Sequence, residues 1–90
     1  MVWKHNPTIG QRDFDGAVVL VDPEKALLHE LNEVGSRIWA LCDGKLSSNE
    51  MAEVISEEYE VTPEQAHKDI EQFTQQMKNM GLLVHSGSQQ

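Results

Sequence analysis

The residues able to do chemistry in this chain are few and poorly spaced for it. Four histidines stand at positions 5, 29, 67 and 85. Only His67 has a partner at helical spacing, Glu71 four residues on, a geometry that can supply two metal ligands. Two ligands do not make a site, and the third would have to come from elsewhere, so an exposed surface pair is expected. Cys42 is the single cysteine, which excludes an internal disulfide and a cysteine-pair zinc site. It follows Leu41 near a helix end, where a small buried hydrophobe is the common outcome and the helix C-terminus works against thiolate formation. No glycine-rich phosphate loop, no GxSxG elbow and no HExxH is present. Carboxylates are plentiful, yet none sits in the apolar setting that marks a catalytic acid. The chain reads as a non-enzyme, with no catalytic residue, no metal and no cofactor.

Charge narrows the partners. The 90 residues carry 15 Asp and Glu against 7 Lys and Arg, a formal net charge of −8. Between Glu50 and Glu71 there are eight acids and one base, Lys68. Phosphate backbones are gripped by Lys and Arg that displace counterions, so nucleic acid is not expected. A solvated acidic face, able to steer a basic partner, fits better. No run approaches the roughly 20 apolar residues of a membrane span, and Met1 to Pro7 lacks the apolar segment of a secretory signal. A cytoplasmic location without membrane contact is therefore expected.

The elements that must position any site split near Asn32. Before it, Ala17–Val21 is a β-branched run and Ala26–Leu31 a second, leucine-rich run, joined by Asp22-Pro23-Glu24-Lys25, a turn in which Pro23 supplies its fixed φ. Ile9–Phe14 adds a weaker strand. After it, three helices are punctuated by their caps. Asn32 caps the first, whose Val34, Ile38 and Leu41 repeat at helical spacing until Asp43-Gly44. Ser47 and Glu50 have capping-box spacing for the second, with Met51, Val54, Ile55 and Tyr59 on one face. Thr62-Pro63-Glu64-Gln65 opens the third, whose stripe is Ala66, Ile70, Phe73, Met77 and Met80, with Gly81 as its stop. Leu82-Leu83-Val84 packs or adds an edge strand. Trp39, Phe73, Met77 and Met80 are expected in the core. The whole predicts an α+β, winged-helix-like fold, an N-terminal three-stranded sheet followed by three helices. One domain over 1–90 is expected, with a core at about 14–84 and a frayed tail at 85–90.

One feature points outward. A three-stranded sheet leaves an unpaired edge, which proteins either blunt or exploit. Leu27, Leu28 and Leu31 put an apolar strand beside the long third helix, and an extended peptide could add to that edge through backbone hydrogen bonds.

The stretch from Leu31 to Gly44, LNEVGSRIWALCDG, resembles the signature of the PqqD-like family: a Leu-Asn step from strand to helix, a turn of small residues, an Ile-Trp pair, then Asp-Gly. The similarity continues through Glu50–Ile55, Tyr59-Glu60-Val61 and Asp69–Phe73 to Gly81-Leu82-Leu83, covering about residues 14–84. His29-Glu30 ahead of Leu31-Asn32, and Trp39 in place of the commoner aliphatic, depart from the chaperones of pyrroloquinoline quinone synthesis. These departures fit the wider family, which serves lasso-peptide and radical S-adenosylmethionine pathways. The resemblance implies a RiPP recognition element. Such a domain binds the leader of a ribosomally made precursor peptide and presents it to a modifying enzyme, such as a radical S-adenosylmethionine protein or a peptidase or cyclase. It further implies a leader added as a strand to Ala26, Leu27, Leu28, His29, Glu30 and Leu31. Asp69, Ile70, Phe73 and Gln76 of the third helix would line the groove. The alternatives are a generic interaction or dimerisation module and, on the fold alone, a winged-helix DNA binder. A monomer or weak homodimer is expected.

Overall fold

The computed structural model describes residues 2–86. Its elements, in chain order, are β1 (Val2–His5), β2 (Gly10–Phe14), β3 (Ala17–Asp22), β4 (Leu27–Leu31), α1 (Glu33–Leu41), β5 (Asp43–Ser47), α2 (Ser48–Tyr59), α3 (Pro63–Asn79) and β6 (Leu83–Ser86).

Strict alternation makes β3 the centre of one sheet. Val18, Leu20 and Asp22 are buried while Ala17, Val19 and Val21 are half-buried on the other face, the period-2 signature of a strand with one side on the core. β2 and β4 flank it, both antiparallel, with Val18 opposite Leu31 and Asp22 opposite Leu27. The turn between β3 and β4 is held by the buried Asp22, whose Oδ1 accepts from the Glu24 and Lys25 backbone N–H groups at 3.1 and 3.3 Å. Ala26 completes it at φ +55°, a left-handed conformation that most side chains avoid. The strand therefore begins at Leu27, and Ala26 belongs to the turn.

The three helices start where their caps dictate. Asn32 Oδ1 accepts from Gly35 N at 2.7 Å, Ser47 and Glu50 form the reciprocal capping box, and Thr62 Oγ1 accepts from Gln65 N at 3.1 Å with Pro63 at the first helical position. Each cap satisfies an N–H that the helix itself cannot. Gly81, at φ +78°, ends α3 in the left-handed conformation that lacks a penalty only for glycine.

The structure adds a second sheet that the three-strand expectation lacked, ordered β5-β1-β6. β1 pairs antiparallel with both neighbours, Val2 meeting Ser47 on one side and Ser86 on the other. Asp43-Gly44 thus ends α1 and also opens a strand. His85 and Ser86, expected in a frayed tail, belong to β6, opposite Trp3 and Val2; the remainder of that tail, 87–90, lies outside the described residues.

One core joins all of this. Trp3, Leu20, Ile38, Trp39, Met51, Ile55, Ile70, Leu82 and Leu83 belong to it, with Cys42 fully enclosed. Among the described residues no helix is long and apolar enough to cross a membrane.

Candidate peptide-binding groove

β3 occupies one side of β4, which stands at the edge of its sheet. The other side faces α3 across a groove. Leu28, His29, Glu30 and Leu31 form one wall, Phe73, Gln76, Met77 and Met80 the other, and Asn32 and Gly35 close the end where β4 runs into α1. This cavity measures about 500 Å³. A second, of about 350 Å³, continues it between α1 and α3, lined by Val34, Ile38, Asp69 and Gln72 together with Asn32, Gly35, Phe73 and Gln76. The four shared residues make the two cavities one depression along α3.

Its walls are fixed from behind. Ser36, buried on α1, accepts from Val18 N at 2.9 Å and donates to the Leu31 carbonyl at 3.3 Å, pinning the end of β4 to α1. Lys25 Nζ donates to the Met80 carbonyl at 3.2 Å, tying the β3–β4 turn to the end of α3. A Cβ on Gly35 would lie 3.3 Å from Phe73 Cε1 and 3.1 Å from Asn32 Oδ1, so glycine there sets how closely Phe73 approaches α1.

Seven of the ten residues expected at the groove line it: Leu28, His29, Glu30, Leu31, Asp69, Phe73 and Gln76. Ile70 does not. It is fully buried beside Ala66 and Met77 in the core, because one residue's step around a helix carries a side chain from the groove wall to the protein interior. Ala26 sits in the turn, and Leu27, 47% exposed, lies outside the lining. Asn32, Val34, Gly35, Ile38, Gln72, Met77 and Met80 complete the lining and were not expected there. Met77 and Met80 lie one and two helical turns beyond Phe73, the i+4 and i+7 spacing that marks a shared face. That spacing was the available signal. Met77 serves both sides, 5% exposed yet touching the groove.

The groove lining carries two carboxylates, Glu30 and Asp69, and neither lysine nor arginine. Leu28 stands out from it, 71% exposed, a large apolar side chain left in water beside an unpaired strand edge.

The groups that could have done other chemistry lie elsewhere. Burial, with help from Asp43, pushes the Cys42 thiol up to about 12, so it stays protonated and unreactive. His67 Nδ1 is 2.9 Å from Glu71 and its Nε2 is 3.0 Å from Asn49 Oδ1, a surface arrangement on the exposed side of α3. Among the described residues no three His, Cys, Asp or Glu side chains are placed to hold a metal.

Comparison with known proteins gives three matches. The sequence profile of the family described as coenzyme PQQ synthesis protein D (PqqD) matches residues 17–83, from β3 into β6. TbiB1, solved in complex with the TbiA(beta) leader peptide, superimposes with a TM-score of 0.82 at 28% identity, over 97% of this chain and 99% of its own. A lasso peptide synthetase B1, solved with its leader peptide, superimposes with a TM-score of 0.85 at 24% identity over 93% and 99%, which establishes the shared fold. No curated protein sequence matches the chain.

Proposed function

Because the chain belongs to the PqqD family, we propose that it is a leader-peptide adaptor. It captures the leader of a ribosomally synthesised precursor on the free edge of β4 and presents the precursor to a modifying enzyme. The observation that carries this reading is the open edge of β4 facing α3 across a preformed groove. The leader-bound state of TbiB1, a chain of nearly the same extent, supports it.

An extended peptide supplies what the edge lacks. Its N–H and C=O groups complete the ladder that β3 leaves half-made, giving affinity that is independent of sequence. Alternate side chains then drop against Phe73, Met77 and Met80, where apolar contact supplies the selectivity. Methionines suit such a wall because their unbranched, polarisable chains adapt to different occupants. The rigid ties at Ser36 and Lys25 hold the groove open beforehand, so less ordering is left to oppose binding. Leu28, Leu31, Asp69, Phe73 and Gln76 contribute side chains, and His29 and Glu30 contribute the backbone edge. The adaptor performs no chemistry of its own. Its second partner is the modifying enzyme, a peptidase, cyclase or radical S-adenosylmethionine protein, and the complex works in the cytoplasm.

The test is a titration of isotope-labelled protein with the synthetic leader of the nearest encoded precursor peptide, followed by NMR. The expected result is amide shifts confined to Leu27–Leu31 and to the 69–80 face of α3, with slowed hydrogen exchange along β4. Absence of shifts, both alone and with the neighbouring enzyme present, would sink the adaptor reading.

A further inference from the structure

The part of the groove beyond β4 differs in chemistry from the part beside it. Past Leu31 the chain turns into α1, so there is no strand edge left to pair with, and the depression becomes a cleft between two helices. Its floor is apolar, formed by Val34, Ile38 and Phe73, and its rim is polar, formed by Asn32, Asp69, Gln72 and Gln76. At about 350 Å³ it has room for one long side chain but not for a further folded segment. Asp69 carries the one charge on that lining. Its Oδ1 accepts from Gln65 Nε2 at 2.9 Å, while no protein donor is recorded on its other oxygen among the described residues.

An apolar floor under a carboxylate and three amides fits a side chain with an aliphatic stem and a cationic head. Such a chain lays its methylenes on apolar surface and keeps its charge at the rim. A neutral apolar residue would bring no donor to the second Asp69 carboxylate oxygen. An acidic one would be repelled, the more so on a protein of net charge −8.

We propose that this cleft receives a lysine or arginine of the bound peptide, with the Asp69 carboxylate as its counter-ion and the Phe73 ring and Val34 under its stem. The inference rests on the peptide-binding reading and specifies which peptides it favours. Every pairing in this sheet is antiparallel. A peptide added to β4 in the same sense runs N- to C-terminal from the Leu31 end towards Leu27, so the basic residue lies just N-terminal to the paired segment. Asp69 thereby acts as a specificity residue, and the strand edge supplies the sequence-independent part of the affinity.

The experiment is a selection of random displayed peptides on three proteins: wild type, Asp69→Asn and Asp69→Lys. Asparagine keeps an acceptor for Gln65 and removes the charge. Folding of both variants is verified by circular dichroism. Wild type should enrich Lys or Arg at one position flanking an apolar extended segment. Asp69→Asn should lose that enrichment while keeping the apolar segment, and Asp69→Lys should replace it with Asp or Glu. Replacing the selected Lys by norleucine should weaken binding to wild type about three- to tenfold and leave binding to Asp69→Asn unchanged. Selection of the same apolar segment by all three proteins, with no basic preference, overturns this inference and leaves the adaptor reading standing. Failure of the wild type to enrich any peptide overturns both.

Discussion

Gly35 and Phe73 meet where β4, α1 and α3 converge: a Cβ added at Gly35 would sit 3.3 Å from Phe73 Cε1. The same Cβ would lie 3.1 Å from Asn32 Oδ1, the oxygen that caps α1. Glycine inside a helix ordinarily costs about 0.5–1 kcal/mol relative to alanine. Here it buys the approach of Phe73 to α1. Gly35→Ala should therefore bring none of the usual helix stabilisation, because the propensity gain is offset by displacement of the cap and the ring. Peptide affinity should fall as Phe73 swings into the groove. Thermal melts and a binding isotherm on the same sample decide it. A variant about 1 kcal/mol more stable with unchanged affinity would show that both neighbours yield freely.

Leu28 and Phe73 should separate binding from folding. Leu28 is 71% exposed, so Leu28→Asp should change stability by less than about 0.5 kcal/mol. A carboxylate placed on an apolar contact at the strand edge should nonetheless weaken leader binding by about tenfold, or about 1.4 kcal/mol. Phe73 packs against the core as well as lining the groove. Phe73→Ala should lose both affinity and stability, the latter by about 3 kcal/mol, the low end for a core phenylalanine. Calorimetric titration beside urea unfolding gives the two quantities independently. Loss of stability without loss of affinity in Phe73→Ala would remove the ring from the groove.

How much of this was legible follows from where the information lies in the chain. The β2–β3–β4 sheet and the helix starts are local: Asn32, Ser47 and Thr62 each announce a helix within four residues, and the Asp22-Pro23 turn joins a β-branched run to a leucine-rich one. The β5–β1–β6 sheet is not local. Val2-Trp3-Lys4-His5 is too short to show a period, Asp43-Gly44-Lys45-Leu46-Ser47 carries one large apolar residue, and their pairing joins residues far apart in sequence with no turn between them to signal it. Ile70 shows the limit at the groove. A stripe alternating by three and four marks the buried side of α3, but only the position of β4 divides that stripe into core and groove wall.

Cys42 gives a pH dependence of defined sign. Its folded thiol sits at about 12, against an ordinary value of 9.0, so the unfolded chain loses this proton first as pH rises. The protonated thiol's contribution is complete below pH 9 and disappears progressively between about 9 and 12, at up to about 1.4 kcal/mol per pH unit. Urea midpoints measured from neutral to alkaline pH should decline more steeply for wild type than for Cys42→Ala. Parallel curves would show that the thiol is not kept protonated by the fold. In native protein at pH 8, thiol reagents should react only as fast as the molecule opens.

Arg37 and Glu58 tie α1 to the end of α2 through two contacts, Nε to Oε1 at 2.8 Å and Nη2 to Oε2 at 2.7 Å. The hydrogen bond from Arg37 is the main cause of a lowered Glu58 pKa, while Arg37 is raised and stays charged. A depressed carboxylate stabilises the fold above its unfolded pKa and loses that contribution as pH falls through the folded value. Arg37→Met should therefore flatten the acid limb of the stability profile below the ordinary carboxylate range. Because both side chains are substantially exposed, added salt should shrink the difference. Identical acid limbs at low salt would mean the pair contributes nothing in solution.

Trp39 couples the two sheets, and Gln11 is the place to test that coupling without touching the groove. The buried indole donates from Nε1 to Gln11 Oε1 on β2 at 2.9 Å. On its other side the ring stacks against His5 of β1, centroids 3.9 Å apart and planes 5° from parallel, while His5 Nε2 donates to the Trp39 carbonyl at 2.6 Å. One side chain of α1 thus holds a strand from each sheet, which explains how β1 becomes part of a fold whose other strands precede or follow distant helices. Gln11→Ala removes the acceptor and leaves an indole N–H that water reaches only partly, a loss of about 1 kcal/mol. Urea unfolding monitored by tryptophan fluorescence should show that loss, with a red-shifted native emission as solvent replaces the amide. Leader affinity should stay within twofold or so of wild type, since β2 lies on the far side of β3 from the peptide edge. A stability loss accompanied by a large loss of affinity would mean that the sheet–helix junction at Trp39, rather than Ser36 and Lys25, sets the groove.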